Sequence, residues 1–209
     1  MPPFVRPKKP LERSRLALVT TGGVHLPGQP RFDIDDFEGD CSYREIPTEA
    51  EDLTWTHAYY RPDEGSDLDA VFPLQTLRGL AADGLVGELG PRHFSFMGAI
   101  HDPTPLVEST APEAANKLVE DGIDAVLLTP SWPLCHRSVG LVCNAIEERG
   151  IPTVTLAMEH GVAAPRVGFV PFPYNLPMGE LGDREGHRRV ALAALGLLHD
   201  LGEPGEVEL

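Results

Sequence analysis

The sequence predicts a single three-layer α/β domain with a mainly parallel sheet, Rossmann-like or flavodoxin-like, and with long active-site loops. From residue 112 to residue 157, helix and strand patterns alternate with short connections. This alternation is typical of parallel strands joined by crossover helices. The chain has 209 residues, of which 42% are hydrophobic, so it is long enough for one sizeable core. We expect an extended arm at 1–14, the domain at 15–202 and an acidic tail at 203–209.

Each element is predicted from a local pattern. Prolines keep the arm out of regular structure. Short apolar runs bounded by turn residues predict strands at 16–20, 42–46, 93–100, 123–129 and 152–157. Apolar side chains at helical spacing predict helices at 73–82, 112–121, 138–149 and 185–201. Segments without either pattern predict long loops at 27–40, 54–70 and 158–182, a length that is more often functional than decorative.

The composition restricts the partners. A formal net charge of −15 argues against nucleic acid, whose phosphates need a basic surface, and against anionic membranes. No apolar run approaches the ~18 residues of a spanning helix, and the N-terminus lacks the features of a secretory signal. Three cysteines at wide spacing do not suggest a disulfide framework. We therefore expect a cytoplasmic protein with a small-molecule substrate, and homo-oligomerisation is plausible.

Cys135 is the main candidate for chemistry. It follows Trp132 in a loop between the strand at 123–129 and the helix at 138–149. The amides at a helix N-terminus stabilise a thiolate, so a nucleophilic or redox thiol is expected there. The alternative is an inert buried cysteine. Cys143 lies among apolar residues and is predicted to be core, whereas Cys41 lies in a loop.

The substrate site is expected beyond the carboxyl ends of the strands, where the loops at 20–25, 129–138 and 157–164 should meet. Candidate acid–base groups are the histidines in or beside loops, above all His25, His57 and His160. The candidate substrate-binding residues are Thr21, Gly22, Gly23, Arg44, Trp132 and His136. The two glycines let backbone amides approach a carboxylate, although a plain tight turn is the alternative. No metal site is predicted, because no paired Cys or His spacing is present.

Seven segments in order along residues 16–180 carry a family resemblance. They are 18–25, 39–47, 57–73, 84–87, 94–98, 124–130 and 147–153. Together they resemble the selenoprotein B family of glycine, sarcosine, betaine and D-proline reductases. The chain is most similar to short, stand-alone members without selenocysteine that resemble the D-proline reductase subunit.

The resemblance implies a function. The family places a selenocysteine or cysteine three positions before a second cysteine, and here Trp132 takes the first position and Cys135 the second. The implied activity is a thiol-dependent reductase acting on a small amino-acid-like or amine-bearing substrate, with Cys135 as nucleophile. It also implies an external dithiol reductant and a reductase partner subunit that carries a pyruvoyl group; no other cofactor is expected. Without the first chalcogen, the dithiol half-reaction cannot close within this loop.

Four hypotheses address the missing chalcogen. In the first, Cys135 acts alone and an external thiol resolves the adduct. In the second, Cys41 or Cys143 approaches Cys135 and replaces the missing chalcogen. A third is that the native gene encodes selenocysteine at position 132, since the two codons differ by one base. In the fourth, the scaffold has become a non-redox binding or accessory protein, or a tailoring lyase or isomerase, with Trp132 as a stacking wall.

Overall fold

The structure, a computed structural model, describes residues 2–59 and 67–209. Within these residues the strands are β1 (Arg15–Thr20), β2 (Val24–His25), β3 (Tyr43–Pro47), β4 (Thr54–Trp55), β5 (Glu88–Leu89), β6 (Arg92–Phe96), β7 (Ala125–Thr129), β8 (Thr153–Ala157), β9 (Arg166–Phe169) and β10 (Gly205–Glu208). The helices are α1 (Leu74–Ala82), α2 (Ala111–Glu120), α3 (Pro133–Glu147) and α4 (Arg184–Asp200). A turn of π-helix, Leu106–Thr110, leads into α2.

The central sheet is mainly parallel, as predicted. Its strand order is β10-β9-β8-β7-β1-β6-β3, and the short β5 pairs with the start of β1. Only β3 runs antiparallel to its neighbour β6 among the described pairs of this sheet. The strands β2 and β4 form a separate antiparallel pair. Helices cover both faces, so the predicted three-layer α/β domain is confirmed.

The two faces of the sheet bury two separate clusters of apolar side chains. Along β1, Ala17 and Val19 belong to the cluster under α2 and α3, whereas Leu16 and Leu18 belong to the cluster under α1 and α4. The alternation follows from the two-residue period of a strand. Because β1 is covered on both faces, it reads as a continuous apolar run rather than as an alternating one.

The chain order reverses at β1, and this reversal positions the site. The chain goes from β1 to β6 on one side, then returns to β7 on the other. In such sheets, ligands bind where the strand order reverses, beyond the carboxyl ends of the strands. The two chain segments that leave β1 and β7 are tied together there, because the Thr21 amide donates to the Thr129 carbonyl at 3.0 Å.

Several boundaries differ from the prediction. The segment at 158–182 contains β9, and Gly205–Glu208 of the expected tail forms β10, which pairs with β9 at the edge of the sheet. These strands are short and partly polar, so their local sequence does not predict them. They form because they pair with the rest of the sheet. The expected loop at 54–70 begins with β4, and its central residues 60–66 lie outside the described residues. In the described part of the chain, no helix is long and apolar enough to cross a membrane.

The N-terminal arm is held by a buried ion pair. Arg166 and Glu147 have fully buried side chains, and their charged groups lie 3.1 Å apart. The Val5 amide donates to Glu147, the Val5 carbonyl accepts from Arg166, and the Arg166 guanidinium lies 3.9 Å from the centre of the Phe4 ring. These contacts bind the start of the arm to the domain, and its last residues form a short 3-10 helix, Leu11–Arg13.

Candidate functional site

Helix α3 starts earlier than predicted, which places Cys135 in its first turn rather than in the preceding loop. Trp132 is the N-cap residue with an extended backbone, and Pro133 follows at the first helical position. Proline suits that position because its fixed φ is helical and its missing N–H would lack a helical partner anyway. The prediction of a start at 138 was wrong because the prolines at 130 and 133 resemble a loop in the sequence.

The sulfur of Cys135 lies in a triangle of polar atoms. Its Sγ is 3.1 Å from His57 Nε2 and 3.5 Å from Ser131 Oγ. Ser131 Oγ is in turn 3.3 Å from His57 Nε2. Cys135 and Ser131 are 0% exposed and His57 is 3% exposed. Of the three histidines expected to act in acid–base chemistry, His57 is therefore the one that contacts this thiol.

Burial controls the protonation of this cluster. It raises the pKa of the Cys135 thiol, and hydrogen bonds from Ser131 and at the Trp132 backbone oppose that rise without cancelling it. Burial also lowers the pKa of His57 to about 4. At neutral pH the pair is therefore a neutral thiol beside a neutral imidazole. Desolvation thus outweighs the helix amides at the resting thiol, and the role of Cys135 as a nucleophile stays a prediction.

Loops from β1 and β6 complete the surroundings of Cys135. The Thr21 hydroxyl donates to the Cys135 carbonyl at 3.1 Å. Gly98 has a φ of +79°, and a Cβ there would lie 2.4 Å from the Thr21 carbonyl oxygen and 2.9 Å from the Cys135 sulfur. Glycine is required at this position for both reasons, because it tolerates positive φ and leaves room for the sulfur.

Trp132 belongs to an aromatic cluster of Tyr59, Trp132 and Tyr174. The Trp132 ring centre lies 6.3 Å from that of Tyr59, with planes 22° apart, and 5.5 Å from that of Tyr174. Tyr59 is 49% exposed and Tyr174 is 37% exposed. Trp132, three positions before Cys135, thus packs against two aromatic rings.

His136 has a positioning role at the start of α3. Its Nδ1 lies 2.9 Å from the Trp132 carbonyl, and its Nε2 accepts from the Met158 amide at 3.0 Å. These partners fix the proton on Nδ1, and burial lowers the pKa of the ring. A cavity of about 300 Å³ lies beside this ring; its lining includes Pro133, His136, Arg137, Glu159 and His160.

The other two candidate histidines have different partners. The ring nitrogens of His25 contact the Leu26 carbonyl and the Thr56 hydroxyl, each at 2.8 Å. His160 is exposed on the surface, stacks on Phe169 and pairs with Glu206 at 2.5 Å. Neither ring makes a described contact with the Cys135 sulfur.

The expected carboxylate-binding groups are occupied within the fold. The Gly22 amide donates to the Thr20 hydroxyl, and the Gly23 amide donates to the Phe96 carbonyl. Arg44 donates to the carbonyls of Pro30, Arg31 and Tyr43. Each of these donors thus has a partner within the fold, and their binding of a carboxylate stays a prediction.

The remaining cysteines occupy separate environments. All three cysteines are free thiols. Cys143 contacts the Thr153 hydroxyl, and burial raises its pKa to about 12. Cys41 lies near the carbonyls of Gly39 and Asp102. Across residues 2–59 and 67–209, no group of three or more acidic, histidine or cysteine side chains is arranged to hold a metal ion.

Sequence reasoning missed Ser131, Tyr59 and Tyr174. Ser131 directly precedes Trp132 and is the second residue after β7. Ligands bind beyond the carboxyl ends of parallel strands, so its position was a usable signal. Tyr59 and Tyr174 come from segments far apart in the sequence, and nothing local indicates that they meet Trp132.

Comparisons with known proteins identify relatives. The model of the family described as glycine/sarcosine/betaine reductase selenoprotein B matches residues 3–131, which include His57 and Ser131. The chain is 36% identical to D-proline reductase subunit gamma of Acetoanaerobium sticklandii, over 99% of this chain and 87% of the relative. No solved structure matches the chain.

Larger relatives match over part of their length. The chain is 32% identical to glycine reductase complex component B subunit gamma of Peptoclostridium acidaminophilum, over 71% of this chain and 35% of the relative. It is 29% identical to sarcosine reductase complex component B subunit beta of the same organism, over 91% of this chain and 46% of the relative. The chain thus spans less than half of those two proteins. It belongs to the glycine/sarcosine/betaine reductase selenoprotein B family.

Proposed function

We propose that the chain is a subunit of an amino acid reductase and that Cys135 is its nucleophile. The names of the relatives support a reductase-related role within a multi-subunit complex. The observation that carries the proposal is the 3.1 Å contact between Cys135 Sγ and His57 Nε2 at the carboxyl ends of β1 and β7. A thiol beside a histidine at a helix start is a recurrent arrangement for a nucleophile.

The proposed substrate is a small amino acid or related amine. In the first step, the Cys135 sulfur attacks the carbon next to the carboxylate, a carbon–sulfur bond forms and the carbon–nitrogen bond breaks. The amine leaves as an ammonium that carries the thiol proton. A thiol of an external dithiol then attacks the Cys135 sulfur, and the carbon takes the electron pair of the carbon–sulfur bond together with a proton.

The second thiol of the reductant closes the cycle. It attacks the mixed disulfide, releases Cys135 as a thiol and leaves the reductant as a disulfide. The substrate has then gained two electrons, and the dithiol has lost two. An external dithiol takes the place of the family's first chalcogen, which Trp132 replaces. A partner subunit carrying a pyruvoyl group would bind the substrate amine. The proposed location is the cytoplasm, because a reducing compartment suits the three free thiols.

Arg137 is the proposed carboxylate-binding group. It lines the cavity of about 300 Å³ beside the first turns of α3 and is exposed there. A guanidinium can hold a carboxylate through two parallel hydrogen bonds. Trp132 and His136 would then shape the site rather than hold the charge, and Arg137 takes the role first given to Arg44.

The test is a product assay with the full chain, alone and with its partner subunit. Glycine, sarcosine, betaine and D-proline are incubated with a dithiol, and the reduced product is measured. We expect dithiol-dependent product from one of these substrates, a loss of about 10³-fold in Cys135→Ala, and activity within about threefold of wild type in Cys143→Ala. Full activity in a folded Cys135→Ala protein would contradict the proposal.

A second candidate is an accessory subunit without redox chemistry. It is favoured by the complete burial of Cys135 and by Trp132 in the position of the first chalcogen. In this case the chain stabilises its partner, and Cys135→Ala leaves turnover of the assembled complex unchanged. The same assay therefore separates the two functions.

A further inference from the structure

Ser131 contacts the reacting sulfur from outside helix α3. It is the second residue after β7, its side chain is completely buried, and its hydroxyl faces both Cys135 Sγ and His57 Nε2. A buried hydroxyl can donate one hydrogen bond and accept others. Which role Ser131 takes depends on which nitrogen of His57 carries the proton.

The backbone fixes the tautomer of His57. The Tyr59 amide donates to His57 Nδ1 at 3.2 Å, so Nδ1 acts as an acceptor. A neutral imidazole has one protonated nitrogen, and the proton must then lie on Nε2. Nε2 is the nitrogen that faces Cys135. In this tautomer His57 donates toward the sulfur and has no free lone pair there with which to remove the thiol proton.

The sulfur is thus surrounded mainly by donors. His57 Nε2 lies 3.1 Å away and Ser131 Oγ lies 3.5 Å away, whereas the nearest described carbonyl, that of Met97, lies 3.9 Å away. Hydrogen bonds between a donor and an ionised group are stronger than those to its neutral form. Such an arrangement therefore favours the form of Cys135 that carries a negative charge.

We infer that Ser131 and His57 form a pair of hydrogen-bond donors that stabilises the Cys135 thiolate, and that His57 is not the base that deprotonates it. The inference deepens the proposed function, because it assigns Ser131 to the same site and changes the role of His57. In the reaction above the thiol proton leaves with the amine, so no base on the protein is needed.

Other polar side chains near the sulfur have their main contacts elsewhere. His136 is the next titratable residue of α3, but its nitrogens face the Trp132 carbonyl and the Met158 amide. Thr21 donates to the carbonyl of Cys135, and its hydroxyl contributes less at the thiol than the Ser131 hydroxyl does. From the described segments around the thiol, His57 is the titratable group in contact with Sγ.

The test is NMR on the full chain carrying isotope-labelled histidine and cysteine. The nitrogen shifts of His57 at neutral pH should show the proton on Nε2, and a proton on Nδ1 would overturn the inference. The titration midpoint of Cys135 should rise by about one pH unit in Ser131→Ala, which means about tenfold less thiolate at a given pH below the midpoint.

Matched variants separate donation from folding and from base catalysis. Ser138→Ala also removes a buried hydroxyl of this region, one that donates to the Gly98 carbonyl, and it should leave the Cys135 midpoint unchanged. His57→Gln keeps an N–H donor, so the Cys135 midpoint should stay close to that of wild type. In His57→Leu the Cys135 midpoint should rise as it does in Ser131→Ala. An unshifted midpoint in folded Ser131→Ala would refute the inference. None of these readouts uses substrate, so their failure is distinguishable from failure of the reductase assay.

Discussion

Helix α3 carries two completely buried cysteines about two turns apart, and their surroundings differ. Cys135, in the first turn, faces an imidazole and a hydroxyl at the carboxyl edge of the sheet. Cys143, in the middle of the helix, faces Thr153 beside the buried pair of Arg166 and Glu147. Burial raises the pKa of both thiols. The difference teaches that the donor groups around a buried cysteine, rather than its exposure, make it a candidate nucleophile.

The largest expected effect on stability lies at the Cys143 end of this comparison. Arg166→Ala leaves the Glu147 carboxylate buried without its partner and removes the contact that holds the N-terminal arm. We expect a loss of about 3–5 kcal/mol in the free energy of unfolding, measured by urea denaturation. The exposed Arg189→Ala is the control and should change stability by less than about 0.5 kcal/mol. An equal effect of both variants would show that the buried pair is not structural.

The next effect concerns acid and lies at the Cys135 end. Burial lowers the pKa of His57 to about 4 from its ordinary value of 6.5. The unfolded state therefore binds a proton that the folded state does not, and stability is lost as the pH falls from about 6.5 towards about 4. The loss from this residue is on the order of 3 kcal/mol.

Denaturation across this pH range measures the acid effect. His57→Gln should flatten the plot of the free energy of unfolding against pH. His199→Gln, on the exposed end of α4, should not flatten it. Some loss should persist in His57→Gln, because burial also lowers the pKa of His93 to about 3. If the free energy of unfolding falls with pH equally steeply in wild type and in His57→Gln, His57 is not a source of the acid effect.

A smaller effect is expected from the glycine that leaves room for the sulfur. Gly98→Ala adds a Cβ against the Thr21 carbonyl and the Cys135 sulfur at positive φ. We expect a loss of about 2–3 kcal/mol in thermal or urea unfolding, because strain and steric overlap combine. Gly140→Ala is the counterpart on α3, where the nearest atom to the added Cβ is the Ala163 carbonyl oxygen at 3.1 Å. If Gly140→Ala lost more free energy of unfolding than Gly98→Ala, the space beside the sulfur would not be the more restricted of the two.

The smallest effect tests whether Cys143 is a core residue. Cys143→Ala removes a buried sulfur and its contact with Thr153, so we expect a loss of about 1–2 kcal/mol in urea unfolding. Val142→Ala on the same helix removes a comparable apolar volume and serves as the reference. A stability equal to wild type would show that Cys143 contributes no packing.

Much of the fold could be predicted from local patterns. The strands around β1, β7 and β8 are continuous apolar runs bounded by turn residues, and the four helices carry apolar side chains at helical spacing. The strands β9 and β10 were missed because they are short, and their hydrogen bonds to the sheet give them a structure that their sequences do not indicate. The start of α3 was missed because proline is compatible with both a loop and a helix start.

The sequence by itself determined the fold class, the family and the importance of Cys135 and Trp132, because those depend on periodicity and on motifs within short segments. Only the tertiary structure decided which histidine meets the thiol. In the sequence His25 and His160 stood out, because they follow predicted strands, and His57 was a further candidate. The crossing from β1 to β6 and back to β7 instead brings His57 and Ser131 to the same sulfur. Desolvation of that sulfur is likewise a property of the packed domain, and no local pattern reports it.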